Sequence, residues 1–281
     1  MDSSLATTTN TPPNGTLAVA TGTQVYATAV GRVVVRGVSW SAAELDAALS
    51  GQVASLLRDD LGREGVRSLL SGLADTEFSS QRVQEILDEP RSSLDAWRVG
   101  EALAEAVLVS HRECFFPWPV RRDVRNPNAS PAGCDLVGFH GDGEATRLAF
   151  GEVKTSEQQE WPPSVMHGRH GLAKQLEDLR DNKALKNWLL LYLGYRAKDS
   201  SWEARFRAAG RRFLSDADDV VLFGVLVRDV VPKDEDLTGR AAALATGQPQ
   251  TTSIELHALY LSAGSITQLA SRAQAALGGT T

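Results

Sequence analysis

The chain has 281 residues, 42% of them hydrophobic and 23% charged, which is ordinary globular composition and enough for one large domain or two small ones. A formal net charge of −6 and a pI near 5.5 argue against a free-standing, non-specific DNA binder, though not against a nuclease with a local basic cleft or one brought to DNA by a partner. No apolar run approaches the ~20 residues of a membrane span.

Residues 1–20 lack a basic stretch followed by an apolar core, so they read as a disordered tail and not as a secretory signal. Residues 24–40 are rich in β-branched side chains and interrupted by Gly31 and Gly37, which predicts one or two strands. Ser41 and Glu44 have the spacing of a capping box. Helical patterning follows, with breaks, to about Leu87. Leu56, Leu57, Leu61, Val66, Leu69, Leu70 and Leu73 form an expected packing stripe. Asp88-Glu89-Pro90 ends this part, so 21–90 reads as an N-terminal strand and helical region and 91–281 as a second domain. The next helix is expected from Ser92 or Ser93 to about His111, with Val99, Leu103, Ala106 and Val107 as its apolar stripe. Glu101 and Glu105 lie one turn apart on its flank, either solvated or facing a site. Phe115-Phe116-Pro117-Trp118-Pro119 is expected to pack this helix on a sheet. Arg121, Arg122 and Arg125 are candidate phosphate contacts, or else solvated loop cations.

The chemistry concentrates between Gly133 and Lys154. Two apolar runs, Cys134 to Phe139 and Arg147 to Val153, flank a turn over His140 to Ala145, which is a hairpin signal. Strand alternation puts Asp135, Val137 and Phe139 on one face of the first run. It puts Glu152 and Lys154 on one face of the second, with Val153 turned away. Pairing would bring one acid from each strand and an ammonium to one spot, a combination costly to bury without a purpose. Beyond a loop containing Trp161-Pro162-Pro163, a helix begins near Gly171 and carries Lys174 and Gln175 in its first turns. Leu185 to Tyr195 reads as a buried helix or strand end. Asp219 to Val231 reads as a strand buried on both faces, Ser253 to Leu261 as another strand, and Ser265 to Leu277 as a terminal helix.

Asp135 followed by Glu152-Val153-Lys154 resembles the D…(D/E)xK signature of the PD-(D/E)xK nuclease superfamily, without the preceding proline of the name. The resemblance implies an α/β fold: a restriction-endonuclease-like core, a central mixed β-sheet flanked by helices, beside the N-terminal region. It implies Mg²⁺ or Mn²⁺ held by Asp135, Glu152, the Val153 carbonyl and Glu101. Lys154 would act on the nucleophile and the transition state, and Gln175 would orient a water or phosphate. Arg121, Arg122, Arg125 and Lys174 would contact the nucleic acid. The stretch from Trp97 to Leu179, with Gly100-Glu101 on a helix, Gly133-Cys134-Asp135-Leu136-Val137 and Gly151-Glu152-Val153-Lys154, is similar to the nuclease subunit of Hachiman-type antiphage systems. That family implies DNA as substrate and a separate helicase partner. The chain has no GxxxxGK[ST] loop of its own and no GxSxG elbow. His111, Cys114, Cys134 and His140 offer a competing zinc reading at loose spacing. Two cysteines make no disulfide framework, and a reduced cytoplasmic setting fits. The alternative from another functional class is a catalytically idle subunit of the same fold that binds nucleic acid or serves as a scaffold.

Overall fold

The computed structural model describes residues 18–88, 94–119, 122 and 133–278, without the side chains of Leu61 and Asp88. Its centre is a seven-stranded mixed sheet. The strands are β1 (Thr23–Val30), β2 (Val33–Ser39), β3 (Cys114–Phe115), β4 (Leu136–His140), β5 (Arg147–Ser156), β6 (Val220–Arg228) and β7 (Ser253–Tyr260). Their order across the sheet is β1-β2-β7-β6-β5-β4-β3. β5, β6, β7 and β2 run parallel, while β1, β4 and β3 pair antiparallel at the two edges. The architecture is therefore α/β with helices on both faces, as parallel strands buried on both sides require.

The division expected at residue 90 cuts through this sheet. β2 pairs residue for residue with β7, from Val33 with Ile254 to Ser39 with Tyr260, so the N-terminal strands complete one sheet with the C-terminal ones. Four helices fill the N-terminal part: α1 (Ala42–Ser50), α2 (Gln52–Arg58), α3 (Asp60–Ser71) and α4 (Glu77–Asp88). The Ser41/Glu44 capping box is formed on α1. The expected leucine stripe is covered only in part. Leu57 is buried, whereas Leu69 and Leu73 are 69% and 72% exposed. The next helix, α5 (Ala96–His111), starts at Asp95 as its N-cap; Ser92 and Ser93 lie outside the described residues.

Beyond β5 come α6 (Leu172–Asp181), α7 (Lys183–Ala197), α8 (Glu203–Ser215) and, after β6, α9 (Glu235–Ala245); α10 (Ser265–Gly278) closes the chain. The helix expected from Gly171 breaks at Asn182, whose side chain accepts from Leu185 N and caps α7. The expected burial of 185–195 is half right. Leu189 and Leu193 are covered, but Trp188 and Tyr195 are 67% and 79% exposed. The sheet separates two apolar cores. One joins α6, α7, α8 and α9 to Val137, Phe139, Leu148 and Phe150; the other joins α1, α2, α5 and α10 to Leu136, Ala149 and Val153. β6 is buried along its whole length, as its unbroken apolar run predicts.

Candidate active site at the open edge of β5

β5 outruns its neighbour. β4 begins at Leu136, which pairs with Gly151, so among the described residues no strand lies beside β5 on that side beyond Gly151. An exposed strand edge presents unpaired amides, and Asp135 takes the first of them. Its Oδ2 accepts from Val153 N at 2.8 Å. The expected strand from Cys134 therefore starts two residues late. Cys134 departs from alternation, packing with Val137 and Phe139 and donating its thiol to the carbonyls of Leu136 and Gly151. Asp135 stands on a bend, not in the pleat.

The hairpin register, continued by one residue from the Leu136–Gly151 pair, sets Asp135 opposite Glu152. The two carboxyls lie close enough for each to act on the other's proton affinity. Glu152 is 1% exposed. Lys154 Nζ lies 3.9 Å from Glu152 Oε2, close enough to attract but beyond hydrogen-bond reach. Glu152 Oε2 is accordingly buried without a donor. Val153 turns to the opposite face, into the core shared with α5, as alternation predicts.

α5 supplies the third acid from that opposite face. A Cβ on Gly100 would overlap the Thr155 hydroxyl, so the glycine is what lets α5 lie against β5. The next residue, Glu101, is half-buried at the same edge, where the charges of Asp135, Arg98, Lys154 and Glu105 act on it. Burial, reinforced by Asp135, pushes the Glu101 carboxyl up to about 8. Burial, again with Asp135 beside it, pushes Glu152 up to about 9. Burial also raises Asp135, against the pull of the Val153 amide and Lys154. Three acids facing one ammonium cannot all ionise together, so protons stand where a cation would otherwise balance the charge.

The other expected residues divide. Glu152 is adjacent on β6 to Gly224, and Leu172 and Leu176 of α6 cover that position. Gln175 lies between those leucines in sequence, and its Oε1 is buried without a partner. It thus rides on the helix that covers the Glu152 face. Lys174, by contrast, is exposed and paired along its own helix, 2.9 Å from Asp178 and 3.7 Å from Glu177. Arg122 grips Asp59 through two hydrogen bonds of 2.5 and 2.8 Å and stacks on Trp118, so it is not available as an open phosphate contact. Arg121 and Arg125 lie outside the described residues.

The zinc reading fails on topology. Cys114 and Cys134 belong to cores on opposite faces of the sheet, and both thiols are pushed up by burial. Among the described residues no three His, Cys, Asp or Glu side chains form a ready-made cation cage. The Asp135–Glu152 pair nevertheless fits a hard divalent ion. Its donors are all oxygen, one of them is an orphan, and magnesium retains waters in place of a full protein cage. Three neighbours escaped the sequence reading: Thr155, whose buried hydroxyl is also unpartnered, and Trp97 and Arg98, which precede Glu101 by one helical turn. The helical spacing of Trp97 and Arg98 to Glu101 was the available signal. No family model and no curated protein matches this chain.

Proposed function

We propose that this chain is a metal-dependent nuclease that hydrolyses phosphodiester bonds through Asp135, Glu152, Lys154 and Glu101. The observation that carries the reading is the Asp135–Glu152 pair, set opposite each other by the hairpin register at a strand edge, with Lys154 3.9 Å from Glu152 and a buried carboxylate oxygen left without a donor. Buried acids whose proton affinities are raised by burial concentrate at functional sites. The resemblance of Asp135 and Glu152-Val153-Lys154 to the PD-(D/E)xK signature supports the same reading and a restriction-endonuclease-like core.

Asp135 and Glu152 would hold Mg²⁺ or Mn²⁺, with the Val153 carbonyl as a third donor and Glu101 binding directly or through water. When bound, the ion supplies a water of lowered pKa and neutralises charge building on the phosphate. Lys154 would place a compact positive charge where the phosphate becomes more negative in the transition state, and it would orient the attacking water. Gln175, on the covering helix, orients a water or a phosphate oxygen. DNA as substrate and a helicase as partner come from the narrower resemblance to Hachiman-type nuclease subunits.

The test is cleavage of plasmid and linear DNA with Mg²⁺ or Mn²⁺, wild type beside Glu152→Ala and Lys154→Ala. Metal-dependent cleavage that falls at least about 100-fold in each variant is expected, the scale on which removal of one transition-state contact acts. An unchanged rate in both variants sinks the assignment. An idle scaffold subunit would show neither cleavage nor a rise in Tm on adding the metal ions.

A further inference from the structure

We infer that Trp97 and Arg98 form a platform on which an unpaired nucleotide stacks beside the scissile phosphate. The inference rests on the nuclease reading and deepens it by naming the substrate class. At 100° per residue, Trp97, Arg98, Glu101 and Glu105 fall within one sector of about 100° on α5. The rest of that stretch is buried: Val99, Gly100, Ala102, Leu103 and Ala104 face the core. The outward stripe therefore holds the site acid Glu101 and, about 6 Å nearer the helix start, a tryptophan. Trp97 is 39% exposed, with the Arg98 guanidinium 5.1 Å from its ring centroid. Arg98 also lies close enough to Glu101 to lower that carboxyl's proton affinity, so the pair belongs to the same patch of surface as the acids.

A large aromatic ring left open one turn from a catalytic carboxylate has a physical consequence. Base–aromatic stacking needs a free π-face on the base, which duplex nucleic acid hides and single strands or frayed ends present. The Arg98 guanidinium, 5.1 Å from the ring centroid, adds positive charge beside the stacked base. The chain's overall negative charge makes such a non-electrostatic foothold more valuable, since long-range attraction to the backbone is weak.

The experiment is fluorescence anisotropy with the full chain carrying Glu152→Gln, in Mg²⁺, so that binding is read without cleavage. The probes are oligo-dT and oligo-rU of about 20 nucleotides, longer than common single-strand site sizes, and a blunt DNA duplex of equal length. Both single strands should bind more tightly than the duplex. Trp97→Ala should weaken single-strand binding by roughly 5- to 150-fold, the effect of one lost stack, and Trp97→Phe should retain most of it. Trp188, 67% exposed on α7 across the sheet, is the control, and Trp188→Ala should change nothing. Equal binding by wild type and Trp97→Ala, an equal loss in Trp188→Ala, duplex preference or no single-strand binding would each overturn the inference. Wild-type cleavage, assayed separately, reports on the nuclease reading. Trp97-dependent binding without cleavage would fell only that reading, and cleavage indifferent to Trp97 would fell only the platform.

Discussion

Gly100 and Thr155 decide whether the third acid reaches the site. The glycine leaves room for a buried hydroxyl that has no hydrogen-bond partner, and the following residue is Glu101. Gly100→Ala should therefore lower stability by about 1–3 kcal/mol, the usual cost of an overpacked contact. Because α5 must shift, the Mg²⁺-dependent rise in Tm should shrink as well. Thr155→Ala in the same chain should restore part of both, giving a coupling between the two sites in a double-mutant cycle followed by thermal melts. Additive effects would mean that the two residues do not set the helix position. At this scale the sequence was informative about residue types and silent about direction. Asp135, Glu152 and Lys154 were visible from strand alternation. The bend that turns Asp135 onto the Val153 amide was not, because it arises where β4 stops short and an edge amide needs an acceptor. Arg122 and Lys174 were plausible phosphate contacts only until their acidic partners, Asp59 and Asp178, came within reach.

Whole elements were legible where one physical signal sufficed. The unbroken apolar run of β6 and the capping box of α1 correspond to formed structure. What periodicity cannot report is whether anything covers an apolar face. Leu69 and Leu73 read as part of a packing stripe and Leu185 to Tyr195 as a buried segment, yet Leu69, Leu73, Trp188 and Tyr195 are exposed among the described residues. Opposite stability effects should follow. Leu69→Ser should change unfolding free energy by no more than about 0.5 kcal/mol. Leu103→Ala, on the fully buried side of α5, should cost about 2–5 kcal/mol. Urea melts measure both. A large loss for Leu69→Ser would show that a partner surface, in this chain or a second copy, covers α3 in solution. Ser41→Ala should cost about 1 kcal/mol through loss of the α1 cap.

At the scale of the molecule, one sheet joins the two ends of the chain, and the candidate site sits on the edge where β4 falls short of β5. That edge gathers acids from both faces of the sheet, and the whole fold bears the electrostatic cost. Glu101 and Glu152, held at about 8 and about 9, keep protons that the unfolded chain releases near 4.5. Through these two groups the native state binds more protons than the unfolded state between those limits, so their contribution to stability is full below about 4.5 and is lost as pH rises toward 9. The slope is at most about 1.4 kcal/mol per pH unit for each proton. His140 and His257, both lowered by burial, act in the other direction as their unfolded forms lose protons near 6.5, and the buried Cys114 and Cys134 thiols, both raised, add to the decline as their unfolded forms lose protons near 9, so the decline due to the two acids is cleanest from about pH 7 to 8. Chemical denaturation of the metal-free protein across that range should show it. Glu101→Gln with Glu152→Gln should flatten it, because neither amide titrates. Mg²⁺ should flatten it too and stabilise the protein most at the alkaline end, where the carboxylates are ready to take the ion without first giving up protons. A metal-free curve that rises from about pH 7 to 8, or a Mg²⁺ effect equal in wild type and the double variant, would show that these two acids do not hold the protons at the sheet edge.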